Sequence, residues 1–364
     1  MAPEVFQEDM KKAAFTHRND AAEVQKLQQD IYYEKVSACE EAVLTNLPEG
    51  ELGRLAKALK DYRKLKVLRL RNIEVGEAEA EEFCKALGLN DTITKLEIQV
   101  AQSHRNRCSA LWKALANALK SNCSVTHIDL SDCLAGNWIR DQGAKALADA
   151  LKSNCTVTHV NLEHNEIRDE GAKALAAALK SNCTVTHVDL QGNNFGDEGV
   201  KALADALKSN KTVTKIDLYN NEIGDEGAKA FADALKSNRT VTHIDLYRNK
   251  IGHKGAKALA DALKSNCTVT HVYLGYNRIG DAGAKALADG LKSNRTVAHV
   301  NLEHNQIRDQ GAKALSDALK SNCTVTHVNL EGNWIGDKGA KALGDVGVVA
   351  LGDVRKFNHV CVVM

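Results

Sequence analysis

The chain repeats itself. From Val157 it reads VTHVNLEHNEIRDEGAKALAAALKSNCT, and lightly edited copies restart at Val185, Val213, Val241, Val269, Val297 and Val325, each 28 residues after the last. Another copy starts at Val125, 32 residues upstream of Val157, with four extra residues placed around Asp132-Cys133-Leu134-Ala135. Divergent copies start at Ile93 and Leu65, which makes ten. A fixed period of this length means a stack of supersecondary units, because no single unit can bury its apolar face alone.

Within a copy two periods follow one another. Val157, Val160 and Leu162 alternate with polar Thr158, His159, Asn161 and Glu163, which predicts a strand. Asp169-Glu170-Gly171 then opens a helix, along which Ala172, Leu175, Ala176 and Leu179 fall at helical spacing. Strands ~4.8 Å apart in a sheet cannot match helices that need ~8–10 Å between axes. The stack must therefore bend with its strands inside. The fold class predicted is α/β, a solenoid with a parallel sheet on the concave face and helices on the convex face. Asn137, Asn165 and their equivalents are expected to form an internal ladder that satisfies loop backbone.

The pattern LxxLxLxxNxI followed by a Gly-Ala helix start, as in VTHIDLYRNKIGHKGAKALADALKSN from Val241, resembles leucine-rich repeats of the ribonuclease-inhibitor type. It also resembles the repeat regions of nucleotide-oligomerisation-domain-like receptors, and Ran GTPase-activating protein and tropomodulin share the architecture. The likeness covers roughly residues 50 to 343. No GxxxxGK(S/T) loop of the receptors' nucleotide-binding module occurs. The resemblance implies a horseshoe that binds a protein partner. Residues 1–48, with an apolar stripe at Ala21, Val24, Leu27, Ile31 and Val36, are expected to be a helical cap, 49–343 the repeats, and 344–364 a C-terminal cap whose HVCVVM forms an edge strand or covers the last copy.

The 48 basic residues nearly balance the 47 acidic ones, which gives no electrostatic reason to expect nucleic acid. No apolar run approaches a membrane span and no signal-peptide pattern opens the chain. The expectation is a cytoplasmic monomer without cofactor or metal, its 10 cysteines reduced. The cysteines before the strands (Cys123, Cys155, Cys183, Cys267, Cys323) alternate with Lys211, Arg239 and Arg295 and read as half-buried, inert thiols. The Asn-x-Ser/Thr sites at Asn122, Asn154, Asn182 and onward read as helix C-caps in the left-handed conformation rather than glycan acceptors.

Alternation places the third, fifth, seventh and eighth positions of every copy on the concave face. The third column carries seven of the 13 histidines, among them His243 and His271. Its readings are a metal ladder, a pH-sensitive face, or a tolerated residue copied by duplication, and duplication is favoured. The fifth column includes Asp217, Asp245 and Tyr273. Four of the seven tyrosines, Tyr219, Tyr247, Tyr273 and Tyr276, gather on three central copies beside Arg248 and Arg278. In a chain only 4% aromatic, that concentration marks the candidate docking surface. Trp334 and Trp138 extend its rim.

His and Asp recur at repeat spacing, as duplication produces and a unique active site does not, and no GxSxG, HExxH or CxxC motif occurs. The chain reads as a non-enzymatic interaction scaffold. Two alternatives follow from the resemblance. One is a GTPase-activating protein of the Ran type, with Arg140, Arg168 and Arg308 as candidates, and the other is an actin-filament capping protein.

Overall fold

The computed structural model describes residues 36–131 and 137–344, together with the backbone of 361–363. The four-residue insertion around Asp132 and most of the two expected caps lie outside them. The chain divides into two units, Met1–Leu130 and Ser131–Met364.

In the first unit four parallel strands, β1 (Glu41–Thr45), β2 (Val67–Ile73), β3 (Lys95–Val100) and β4 (His127–Asp129), pair in sequence order. Helices Glu51–Ala58, Glu77–Leu89 and Ser109–Ser121 connect them. β1 falls within the segment expected to be a helical cap: strand pairing begins before the first recognisable copy, with Ala42 and Leu44 registered against Leu68 and Leu70. The copy lacks the Asn-x-Ile signature, which is why its period was not visible.

In the second unit strands β5 to β11 are three residues each, His159–Asn161, His187–Asp189, Lys215–Asp217, His243–Asp245, His271–Tyr273, His299–Asn301 and His327–Asn329. They run parallel, with each third-position residue registered on the next. β12 (Cys361–Val363) closes this edge by pairing antiparallel with β11. Val160, Leu162, Leu175, Ala176 and Leu179 are buried, as are their equivalents, so one side of each strand and one stripe of each helix make a continuous aliphatic core. The second unit is thus a leucine-rich-repeat fold, a parallel sheet alternating with a layer of helices. Among the described residues no helix is long and apolar enough to cross a membrane.

Three side-chain ladders satisfy the backbone that such short strands and helices leave unpaired. In the first, Asn193 Nδ2 donates to Leu162 O of the preceding copy (2.8 Å), and its Oδ1 accepts from the Asn165 and Ile167 amides. This is the expected internal ladder.

The second ladder corrects an expectation. Asn182 and Asn210, at helix ends, are extended (φ −71° and −66°), not left-handed. Each is buried. Asn182 Oδ1 accepts from the Thr184 and Val185 amides, while Nδ2 donates to Leu151 O and Asn154 O of the preceding copy. An amide nitrogen so engaged has no room for a glycan.

The third ladder uses the first helical residue. Asp169 Oδ1 accepts from the Gly196 and Gly199 amides of the next copy, and Asp197 does the same for Gly224 and Gly227. His253 stands where an Asp would serve Gly280 and Gly283. There the next helix starts differently: Gly280 turns to φ +59° and donates instead to Asn305 O (2.9 Å).

Candidate functional site

The exposed side of the second unit's sheet carries the four polar columns. The third column is a stack of imidazoles. His243, His271, His299 and His327 lie with ring centroids 4.0, 4.3 and 4.4 Å apart and nearly parallel, and His159 stacks on His187 at 4.2 Å. Where a threonine precedes the ring, as at His243 and His271 (Ala298 precedes His299), it fixes the tautomer. Thr242 Oγ1 donates its one hydrogen to Thr214 O (3.1 Å) and so accepts from His243 Nδ1 (2.8 Å). Thr270 does the same for His271. In these two rings Nε2 therefore carries the lone pair. Burial and the neighbouring imidazoles His243 and His299 push His271 down to about 4, and His243 and His299 are lowered for similar reasons. Near neutral pH these three rings are uncharged. Among the described residues no group of three His, Cys, Asp or Glu side chains converges to hold a metal ion.

The fifth column sets Asp189, Asp217 and Asp245 on adjacent strands in register. Each Oδ1 accepts from the backbone amide two residues on, at 3.0, 3.0 and 2.9 Å. Burial raises all three, and like charge adds to it: Asp189, beside Asp217, is pushed up to about 7, and Asp217, beside Asp245, and Asp245 itself to about 6.

The seventh and eighth columns hold the aromatic strip. Tyr219 stacks on Tyr247 (5.2 Å, 17°), Tyr247 tilts against Tyr276 (5.2 Å, 41°), and Tyr276 tilts against His304 (4.1 Å, 32°). Tyr276 is 42% exposed. Arg248 and Tyr276 occupy the eighth position, where the chain turns to φ 56° and 53°. That backbone region is unfavourable for side chains of this size, and it projects both from the end of the strand. Arg248 interacts with the Tyr219 phenol, which raises the guanidinium's pKa. Tyr247 donates to Glu303, which also accepts from Asn329 Nδ2, and burial together with that carboxylate raises the Tyr247 phenol well above its ordinary value.

The structure thus brings Tyr219, Tyr247, Tyr276 and Arg248 into one contiguous strip, with Asp217 and Asp245 on the strands just before it. Tyr273 joins the imidazole stack, 6.1 Å from His271. Arg278 lies on the loop after the strip, its amide donating to Ile251 O (2.8 Å). Trp334 is 55% exposed but stands apart, in the last copy, with the Arg308 guanidinium over its ring at 5.3 Å. Arg140 lies over Trp138 at 4.6 Å in the same way.

Sequence reasoning missed Glu303 and His304 as members of this cluster. The available signal was Gly275, which alone in the seventh column leaves a gap. A Cβ there would lie 2.5 Å from the Tyr247 ring and 2.8 Å from Glu303 Cγ. The expectation for the cysteine column also needs correction. Cys123, Cys155, Cys183, Cys267 and Cys323 are exposed rather than half-buried, because the Asn turn beside each of them fills the interior with its own amide.

Comparison with known proteins places this geometry. Residues 209–232, 237–260, 265–288, 293–316 and 321–344 match the Leucine Rich repeat family model, and residues 103–217 match the TMOD/LMOD Leucine-rich domain. No curated protein matches significantly. Among solved structures, the actin-binding site 2 of leiomodin-1 is 26% identical, covering 40% of this chain and 86% of that one at a TM-score of 0.36. The C-terminal domain of Caenorhabditis elegans tropomodulin is 14% identical, covering 42% and 92% at 0.35. An internalin of Listeria monocytogenes is 15% identical, covering 86% of each chain at 0.49. The five repeat matches, read with the register of the strands, show that residues 209–344 are built of leucine-rich repeats.

Proposed function

We propose that the chain is a non-enzymatic protein-interaction module of the cytoplasm, acting as a monomer, whose partner docks on the concave sheet face of the second unit at Tyr219, Tyr247, Arg248 and Tyr276. One observation carries the reading: in a chain with so few aromatic residues, three tyrosines and a histidine form an unbroken strip on a solvent-facing surface. Tyrosine supplies large contact area at modest entropic cost, and tyrosine and arginine are enriched among the residues that dominate interface energetics. The test is Tyr247→Ala combined with Tyr276→Ala, with partners recovered by affinity capture. The double variant loses the partners held by the parent chain, while its unfolding midpoint moves by no more than about 1 kcal/mol because the rings are on the surface. Partners retained at parental level refute the site.

The match of residues 103–217 to the TMOD/LMOD Leucine-rich domain favours a second reading, in which the partner is actin. Co-sedimentation with actin filaments distinguishes it: a chain that stays in the supernatant at all filament concentrations removes this partner and leaves the docking face untouched.

A further inference from the structure

The charge of the docking face goes further than its rings. Across the third, fifth, seventh and eighth columns of the second unit stand six carboxylates (Glu163, Asp189, Asp217, Asp245, Glu303 and Glu331) against two cations, Lys215 and Arg248. His243, His271 and His299 do not redress the balance, since burial lowers all three. The first unit does the opposite with its sheet: Arg69 and Arg71 bind Glu97 at 3.0 and 2.6 Å, and Arg69 also pairs with Glu41. One face neutralises itself. The other carries more carboxylates than cations, a surplus by composition.

Nothing in the fold calls for that surplus. The job of the fifth-column oxygen is to accept the amide two residues on, and Asn161, Asn301 and Asn329 do it as well as the aspartates, at 3.0, 2.9 and 2.9 Å. Substituting Asp for Asn at three successive rungs adds only repulsion between half-buried carboxylates. Nor do internal partners absorb the charge beside the strip: Glu303 is held by a phenol and an amide, both neutral.

We infer that the partner segment seated on this face is basic, a lysine- or arginine-bearing stretch of polypeptide. This rests on the docking reading above. Its aliphatic stems lie along the Tyr219, Tyr247 and Tyr276 rings, where cation–π attraction adds to contact. Its charges reach Asp217, Asp245 and Glu303. A phosphate backbone meets the same carboxylates as repulsion, so nucleic acid does not fit.

Two short fluorescein-labelled peptides test the inference, one with Lys or Arg at alternate positions and one with Glu or Asp there. They are titrated into the full chain at ~50 mM salt and pH ~7.5, where surface charges are weakly screened. The basic peptide binds, and Asp217→Asn with Asp245→Asn weakens it about tenfold. The Asn variant keeps the fold, because Asn already occupies three rungs of the same column. As a check on the parent chain itself, raising salt to ~0.5 M weakens the basic peptide several-fold. Equal binding of the acidic peptide, no binding of either, or indifference to both the Asn change and salt overturns the inference. Tyr247→Ala with Tyr276→Ala separates this from the docking reading. Preference for the acidic peptide, lost with the tyrosines, sinks the charge inference alone. Basic-peptide binding that ignores the tyrosine change sinks the docking strip as well.

Discussion

The phenol of Tyr247 reaches past an entire copy to donate to Glu303, and it does so over Gly275. The strip is therefore held by a bond that spans two repeat lengths and depends on a missing side chain. Gly275→Ala places a methyl 2.5 Å from the ring. The ring and carboxylate are displaced, at a cost of about 1 kcal/mol, the low end for overpacking because both neighbours are side chains. Ultraviolet titration then shows one tyrosine moving down toward its ordinary range. An unchanged titration curve counts against this bond.

The second prediction concerns the buried asparagines. Asn238 is fully buried, donates to Leu207 O (2.8 Å), and accepts from the Thr240 and Val241 amides. Asn238→Ala leaves a buried carbonyl, a buried amide at Val241 and a half-buried one at Thr240 short of a partner, which costs roughly 2–4 kcal/mol. The urea midpoint reports it. Replacing a surface residue of the helix just before it, Asp233→Ala, shifts the midpoint far less, since its pairing with Lys236 is exposed.

A third prediction turns on pH. Asp217 and Asp245 have folded-state pKa values raised to about 6, above the unfolded value. Their contribution to stability is therefore fully present below pH ~4 and is lost as pH rises through about 6 to 7. Lys215 opposes the shift, Asp189 and Glu163 reinforce it, and the neighbouring imidazoles work in the opposite sense, since their lowered pKa costs stability on acidification. Asp217→Asn with Asp245→Asn isolates the carboxylates. It raises the free energy of unfolding at pH 8 by about 1 kcal/mol per site once the linkage value is discounted for screening, read as a higher melting temperature, and changes little at pH 4. Equal effects at both pH values contradict the ladder's electrostatics.

The break in the Asp ladder supplies the fourth. His253→Asp offers Gly280 and Gly283 the carboxylate acceptor of the other copies in place of Asn305 O and Ile279 O, to which they now donate, and places a carboxylate in the first turn of its own helix. Both effects stabilise, together by about 1 kcal/mol. A structure of the variant shows Gly280 leaving φ +59° for the extended backbone of Gly252 (φ −98°). A lower melting temperature rejects the account.

Much of this architecture was legible in the residues themselves. Two periods in one 28-residue copy dictate a strand and a helix, and the strand columns follow from alternation. The internal ladder at Asn165 and Asn193 was readable because an amide at a fixed place among aliphatics has one structural use. The helix-end asparagines were misassigned for a related reason. Asn both tolerates positive φ and bridges extended backbone, and only the neighbouring copy's carbonyls decide between the two. β1 was hidden because its copy keeps the strand and lacks the signature. The tyrosine strip was visible as composition, but its link to Glu303 was not, since contacts between copies two apart have no one-dimensional pattern. The charge state of the Asp and His columns depends on burial, which a sequence does not carry.

The ladders also decide where the solenoid gives way. Each copy in the second unit hands its loose amides and carbonyls to the copy beside it, so a seam between neighbours is as strong as the number of clasps across it. Between the helix ending at Leu263 and the one starting at Gly280, one clasp in three is missing. Under heat or traction the second unit does not fray evenly. It parts at that seam, beside the tyrosine strip, and any partner that straddles Tyr247 and Tyr276 acts as the splint that keeps the two stretches together.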